Sequence, residues 1–181
     1  MIVSQSTSSS KHFTFEDFVA RPDYVEWIDG RLIEKTGTTM RHGIVRGHLM
    51  MQWDTYADSY DAGGRALPSV PCRLLNRGKR PDVSYLPPDI LTQSIQLNFV
   101  PQSPPLLAEV VSPIDCAEEL FSKAIEYLES GCQEIWLIFP EAKLIMVKTI
   151  EQPWQVFSSG QTIATRKVLV GFSIAIDQLF A

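Results

Sequence analysis

Leu106-Leu-Ala-Glu109-Val-Val-Ser-Pro113-Ile-Asp-Cys-Ala-Glu-Glu-Leu-Phe-Ser-Lys123 is the stretch whose reading decides how this chain folds. It begins as an apolar run with strand chemistry, turns at Ser112-Pro113, and continues as an amphipathic helix that carries Lys123. Glu109 sits in the middle of the run. A charge inside a buried strand costs on the order of several kcal/mol unless it is paired or bound to a metal. Downstream, Gln133-Glu-Ile-Trp-Leu-Ile-Phe139 reads as a second buried strand, so Leu106–Val111, the helix and Glu134–Phe139 form a βαβ crossover. Upstream, Arg80-Pro-Asp82-Val-Ser-Tyr-Leu86 is a short strand that opens with another carboxylate.

Working outward, Phe13–Ala20 reads as a short helix with Thr14 as N-cap and Asp17 three residues on. In Tyr24-Val-Glu26-Trp-Ile-Asp-Gly30-Arg-Leu-Ile-Glu34, Asp29-Gly30 between two β-prone runs signals a tight hairpin, with Glu26 on the face of Tyr24 and Ile28. Thr36–Thr39 is a loop ending at a cap. From Met40 to about Tyr60 the pattern is helical, with Ile44, Val45, His48, Met51, Gln52 and Thr55 at 3-4-7 spacing and His42 in the first turn. Short strands follow at 65–70 and 71–76, then a basic turn, Arg77–Arg80. The Pro- and Gln-rich segment from Asp89 to Pro105 reads as a long loop. Later strands are expected at 144–148, 154–157 and 166–170, with a last helical turn over 176–180.

This order predicts an α/β (α+β) chain with a mixed, largely antiparallel sheet and flanking helices. The Ser/Thr-rich residues 1–12 are expected to be a flexible tail and 13–181 a single domain, since 181 residues suit one core. The net charge of −5 argues against a stand-alone nucleic-acid coat, though not against an enzyme that grips phosphate locally. Three cysteines without C-x-x-C spacing give neither a disulfide framework nor a zinc site, so a cytoplasmic location is the expectation. No apolar run is long enough for a membrane helix.

Asp82, at the start of a strand beside that of Glu109, brings two carboxylates together, and a cation between them would keep both ionised. Magnesium suits that place, because it takes oxygen ligands and needs only one or two carboxylates. Lys123, on the flank of a helix whose buried stripe is Ala117, Leu120, Phe121, Ala124 and Leu128, leans toward the same space with Tyr127 one turn away. Each residue also has a plain structural alternative. Glu109 could pair with an arginine, Lys123 with Glu119 at i−4, and Asp82 could simply begin a strand. Asp115, with Glu118 three residues on, reads as a capping box.

The runs Arg-Pro-Asp82-Val-Ser-Tyr, Leu-Leu-Ala-Glu109-Val-Val-Ser-Pro, Lys123-x-x-x-Tyr127 and Gly131-x-x-Glu-Ile-Trp-Leu-Ile-x-Pro140 together resemble the Uma-two family. Tyr24-Val-Glu26-Trp-Ile-Asp-Gly30 and Arg41-His42-Gly43 are similar to that family's pattern too. Its members are restriction-endonuclease-like proteins of the PD-(D/E)xK nuclease superfamily. The resemblance, from about Phe13 to Phe180, implies Asp82 as the PD aspartate and Glu109 as the (D/E). The lysine usual two residues later is Val111 here, and the family's lysine on the following helix falls on Lys123. Glu26 and His42 are implied as members of the same pocket. The expected activity is a Mg²⁺-dependent endonuclease, with Mn²⁺ as a substitute and the Val110 carbonyl as a third metal ligand. Arg77, Lys79 and Arg80 would face the phosphate backbone of duplex or branched DNA, cut by a homodimer. The alternative is a non-catalytic nucleic-acid-binding or interaction module on the same fold.

Overall fold

The computed structural model describes residues 12–35 and 39–181. The expected tail over 1–12 lies, but for His12, outside them, as does the loop at 36–38. In chain order come α1 (Phe15–Val19), β1 (Val25–Ile28), β2 (Arg31–Glu34), α2 (Met40–Ser59), β3 (Arg65–Pro68), β4 (Cys72–Leu74) and β5 (Arg77–Lys79). Next are β6 (Val83–Leu86), α3 (Pro88–Leu97), β7 (Leu106–Val110), α4 (Ala117–Glu129) and β8 (Glu134–Phe139). The chain closes with β9 (Leu144–Thr149), β10 (Gln155–Ser158), β11 (Thr162–Ala164), β12 (Ser173–Ala175) and α5 (Ile176–Leu179).

The decisive stretch behaves as its chemistry requires. β7 pairs β8 in parallel across the α4 crossover, and all five β7 residues are buried because the strand is covered on both faces. Leu106, Ala108 and Val110 face one core, shared with Trp136 and Ile138 of β8 and with Val45, Leu49, Trp53 and Ala57 of α2. Leu107 faces the other, with Ile135, Leu137, Ala124 and Tyr127. Period-two alternation thus sends Glu109 to the α4 side. The six-stranded sheet runs β10-β9-β8-β7-β6-β3, with every pair but β7–β8 antiparallel.

A smaller sheet, β2-β1-β5-β4, carries the hairpin, which turns through Asp29 and Gly30 at φ 48° and 79°. β5 runs almost directly into β6, so Arg80-Pro81-Asp82 is the joint between the two sheets. α1 begins with the Thr14–Asp17 capping box and lays Phe15 and Phe18 beneath β5. No helix among the described residues is long and apolar enough to cross a membrane.

Several sequence expectations are corrected. The segment read as a loop from Asp89 contains α3: Pro88 stands at its first turn, where a missing N–H is harmless, and Asn98 closes it in the left-handed region at φ 60°. Pro88 and Asn98 are helix punctuation rather than loop chemistry. Residues 166–170 form no strand. Val168 and Leu169 are tucked into the core from a bent connection between β11 and β12, which pair with each other. The buried stripe of α2 is His42, Val45, Leu49, Trp53 and Ala57, while Ile44 and Met51 are exposed. The α4 N-cap is Cys116; Asp115 instead accepts the Ser112 N–H at 2.7 Å. Arg77–Arg80, read as a basic turn, is largely strand β5, with Lys79 and Arg80 buried.

The close stacking of α1 on β5 gives a test. A Cβ on Gly78 would lie 2.6 Å from Phe18 Cδ1 and 3.1 Å from Phe15 Cε2. Gly78→Ala is expected to destabilise the fold by about 1–3 kcal/mol through overpacking, read as a lowered denaturation midpoint with an unchanged slope.

Candidate functional site

Five elements converge on one cavity of about 590 Å³. The hairpin brings Tyr24, Glu26 and Lys35, the first turn of α2 brings His42, and the joint before β6 brings Asp82. β7 supplies Glu109 and α4 supplies Lys123. All five side chains singled out from the sequence, Glu26, His42, Asp82, Glu109 and Lys123, therefore line a common space.

Asp82 is held on every side. Its Oδ2 accepts the Val110 N–H at 2.8 Å and lies 3.2 Å from His42 Nε2, and its Oδ1 accepts the Tyr24 hydroxyl. Because β6 pairs antiparallel with β7, Val83 opposite Ala108, this bond extends the strand pairing by one side chain. Glu109 Oε1 accepts the Tyr127 hydroxyl at 2.7 Å and pairs with Lys123 Nζ at 2.9 Å. Lys123 also reaches Glu26 Oε1 at 2.6 Å, and Glu26 Oε2 meets Lys79 at 2.9 Å. Glu109 pairs with lysines rather than an arginine, and Lys123 pairs with Glu109 and Glu26.

Between the two central carboxylates sits an ammonium that the sequence reading missed. Lys35 Nζ lies 3.6 Å from Asp82 Oδ1 and 3.5 Å from Glu109 Oε2. A signal for it was available. A two-residue Asp29-Gly30 turn pairs Ile28 with Arg31 and Val25 with Glu34, which sets Lys35 opposite Tyr24 on the face already assigned to Glu26. Tyr127 was also undervalued. Placed on the helix flank from the sequence, it is fully buried, whereas Ala117, expected inside, is exposed.

These contacts decide the charge states. Burial pushes the Asp82 pKa up, but Lys35 and the His42 and Tyr24 hydrogen bonds outweigh it and hold the carboxyl well below its usual range. Burial likewise opposes ionisation of Glu26, yet Lys123, Lys79 and Lys35 bring it down to about 2. For Lys35 and Lys123 desolvation favours the neutral amine, and the facing carboxylates, Glu109 foremost, reverse it. Both lysines are ammoniums at neutral pH. Burial and then Glu109 raise the Tyr127 pKa, so that phenol stays a donor.

The cations expected to face a phosphate backbone are otherwise engaged. Arg77 pairs with Glu126, Lys79 with Glu26 and, at 3.5 Å, Glu126, and Arg80 donates to the carbonyls of Phe18 and Arg21. The four basic residues lining the cavity, Lys35, Arg77, Lys79 and Lys123, each have an acidic partner, and Glu34, Glu118 and Glu119 line it as well.

A divalent metal can be judged against this donor set. Among the described residues, no three or more His, Cys, Asp or Glu side chains are gathered as a metal site. The Asp82–Glu109 pair nevertheless fits a hard, oxygen-seeking ion that takes only one or two protein carboxylates, since both face a position where a cation already lies.

The family model described as "Uma2: Putative restriction endonuclease" matches residues 14–177. Among solved structures the chain is similar to one from Anabaena variabilis ATCC 29413 described as "a putative nuclease belonging to DUF820". That likeness has a TM-score of 0.81 at 19% identity and covers 93% of this chain and 97% of the other. No curated protein matches the chain.

The depressed Glu26 carboxyl makes stability depend on acid in a definite direction. Its ordinary pKa is 4.5 and its folded value about 2, so the Glu26 contribution is full above about pH 4.5 and is lost as pH falls through about 2. The stability difference between wild type and Glu26→Gln is expected to be constant from pH 7 to 5 and to shrink steadily below that, in urea unfolding curves taken across the range.

Proposed function

This chain belongs to the Uma2 family, and on that premise we propose that it is a Mg²⁺-dependent endonuclease that hydrolyses phosphodiester bonds in duplex or branched DNA. One observation carries the reading: Asp82 and Glu109 line one cavity and flank a common cation position, 3.6 Å and 3.5 Å from the Lys35 ammonium, with the Lys123 ammonium 2.9 Å from Glu109. The site is built from the superfamily's residue types although the usual lysine position is Val111.

Asp82 and Glu109 would hold the metal, with the Val110 carbonyl as a further oxygen donor. Bound there, a divalent ion supplies Lewis-acid polarisation of the phosphate and a lowered pKa for an attacking water. The chain's own residues do the rest. The Val110 N–H, His42 and Tyr24 fix Asp82 so that its carboxylate needs no reorientation. Tyr127 and Lys123 do the same for Glu109. Since Lys123 is protonated at rest, its part is to orient water and stabilise charge building on the phosphorus oxygens, rather than to accept a proton. Glu26 also holds Lys123, at 2.6 Å, and so is a positioning residue. One site cuts one strand, and scission of a duplex would follow from pairing two copies.

Purified protein is expected to bind Mn²⁺ and nick plasmid DNA. Asp82→Asn and Glu109→Gln should lose both properties. Lys123→Met should retain metal binding and slow nicking by about 10²–10³-fold, the usual effect of removing one charge-stabilising donor. Wild-type protein that binds no metal and cuts nothing, yet retains nucleic acid on a gel, would favour the non-catalytic module instead.

A further inference from the structure

We propose that Lys35 is the resident counterion of the Asp82–Glu109 pair: its ammonium holds the cation position in the resting protein, and a divalent ion binds by displacing it. This rests on the metal site assigned to that pair above and adds its regulation.

The geometry separates Lys35 from Lys123. Lys123 makes two short ion pairs, 2.6 Å to Glu26 and 2.9 Å to Glu109, and touches only one of the two facing carboxylates. Among the described residues Lys35 is the ammonium near both carboxylates, and its contacts to them are long, 3.5 Å to Glu109 and 3.6 Å to Asp82, beside hydrogen bonds of 3.1 Å to the Arg80 carbonyl and 3.3 Å to the Tyr24 hydroxyl. Charge-assisted bonds are best at about 2.7–2.9 Å, so neither carboxylate holds this ammonium by a short directed bond. Such a group is displaceable.

The way out is also present. Lys35 follows the outer strand of the hairpin, on a flexible four-carbon stem, and its side chain is 18% exposed against 3% for Asp82 and 5% for Glu109. At equal distances the repulsion between an ammonium and a divalent ion cancels the attraction that two carboxylates exert on the ammonium. It cancels only about half of what they exert on the divalent ion, so the ammonium is the group that leaves the gap. Occupancy by Lys35 and by metal is therefore mutually exclusive. In the resting state Lys35 prevents two buried carboxylates from facing each other uncompensated. Its cost falls on metal affinity.

Calorimetric titration of Mn²⁺ into wild type, Lys35→Met and Lys35→Arg tests this. Lys35→Met, which keeps the length and loses the charge, is expected to bind Mn²⁺ about tenfold or more tightly than wild type, and Lys35→Arg no more tightly than wild type. A second measurement needs no variant. Reductive methylation of Lys35 in wild type, quantified by mass spectrometry, should accelerate when Mn²⁺ saturates the protein. Unchanged or weakened Mn²⁺ affinity in Lys35→Met, or Lys35 labelling that ignores metal saturation, would overturn the proposal. If neither wild type nor Lys35→Met binds Mn²⁺, this inference and the nuclease reading fall together. Tighter binding by Lys35→Met beside a wild type that cuts no DNA would overturn the nuclease reading alone.

Discussion

A carboxylate on a strand covered from both faces is the constraint that the rest of this structure answers. Glu109 is 4% exposed in the middle of β7, where an unpaired charge would be untenable. Three elements supply its partners: Tyr127 and Lys123 from the crossover helix and Lys35 from the end of the hairpin. The first two contacts need α4 docked on the sheet, and the third needs the hairpin closed over the strand end. The charge therefore ties the order of the central βαβ unit to that of the smaller sheet.

The tie extends through alternating signs. Glu109 meets Lys123, Lys123 meets Glu26, Glu26 meets Lys79, and Lys79 meets Glu126, which also holds Arg77. Buried ion pairs contribute little net stability relative to apolar packing, but breaking one partner away from such a chain leaves the next charge bare. A network of this kind selects one arrangement more than it strengthens it, and here it fixes where the two candidate metal-binding carboxylates point. The apolar cores on either face, built around Trp53 and Trp136 on one side and Leu107 and Tyr127 on the other, carry the burden of stability.

Much of this was legible in the residues. An apolar run broken only by Glu109, a Ser-Pro turn, an amphipathic helix and a second apolar run can make little other than a parallel crossover, and the Asp29-Gly30 hairpin follows from turn chemistry alone. The family resemblance matches the family found by comparison, and the five side chains it marked share one cavity. The errors have physical causes. Pro- and Gln-rich composition fits a loop as readily as a helix that opens on a proline, so the stretch from Asp89 reads as a loop although it begins in α3. In α2 the spacing fitted two faces, and only docking chose the face with Leu49 and Trp53. Basic residues at 77–80 look solvated in sequence, yet their partners, Glu26, Glu126 and the carbonyls of α1, come from distant segments. Lys35 was missed because an ordinary lysine after a hairpin shows its purpose only when the two carboxylates it bridges, 47 and 74 residues downstream, are brought to it.

The central claim is that Asp82 and Glu109 form a cation site. Its most direct measurement is a crystal structure of the protein grown with Mn²⁺, with the metal located by its anomalous scattering. The account predicts one strong peak between the two carboxylates, with the Lys35 ammonium moved out of that gap into the cavity. A peak elsewhere, or none at saturating Mn²⁺ with Lys35 still bridging the pair, would contradict it.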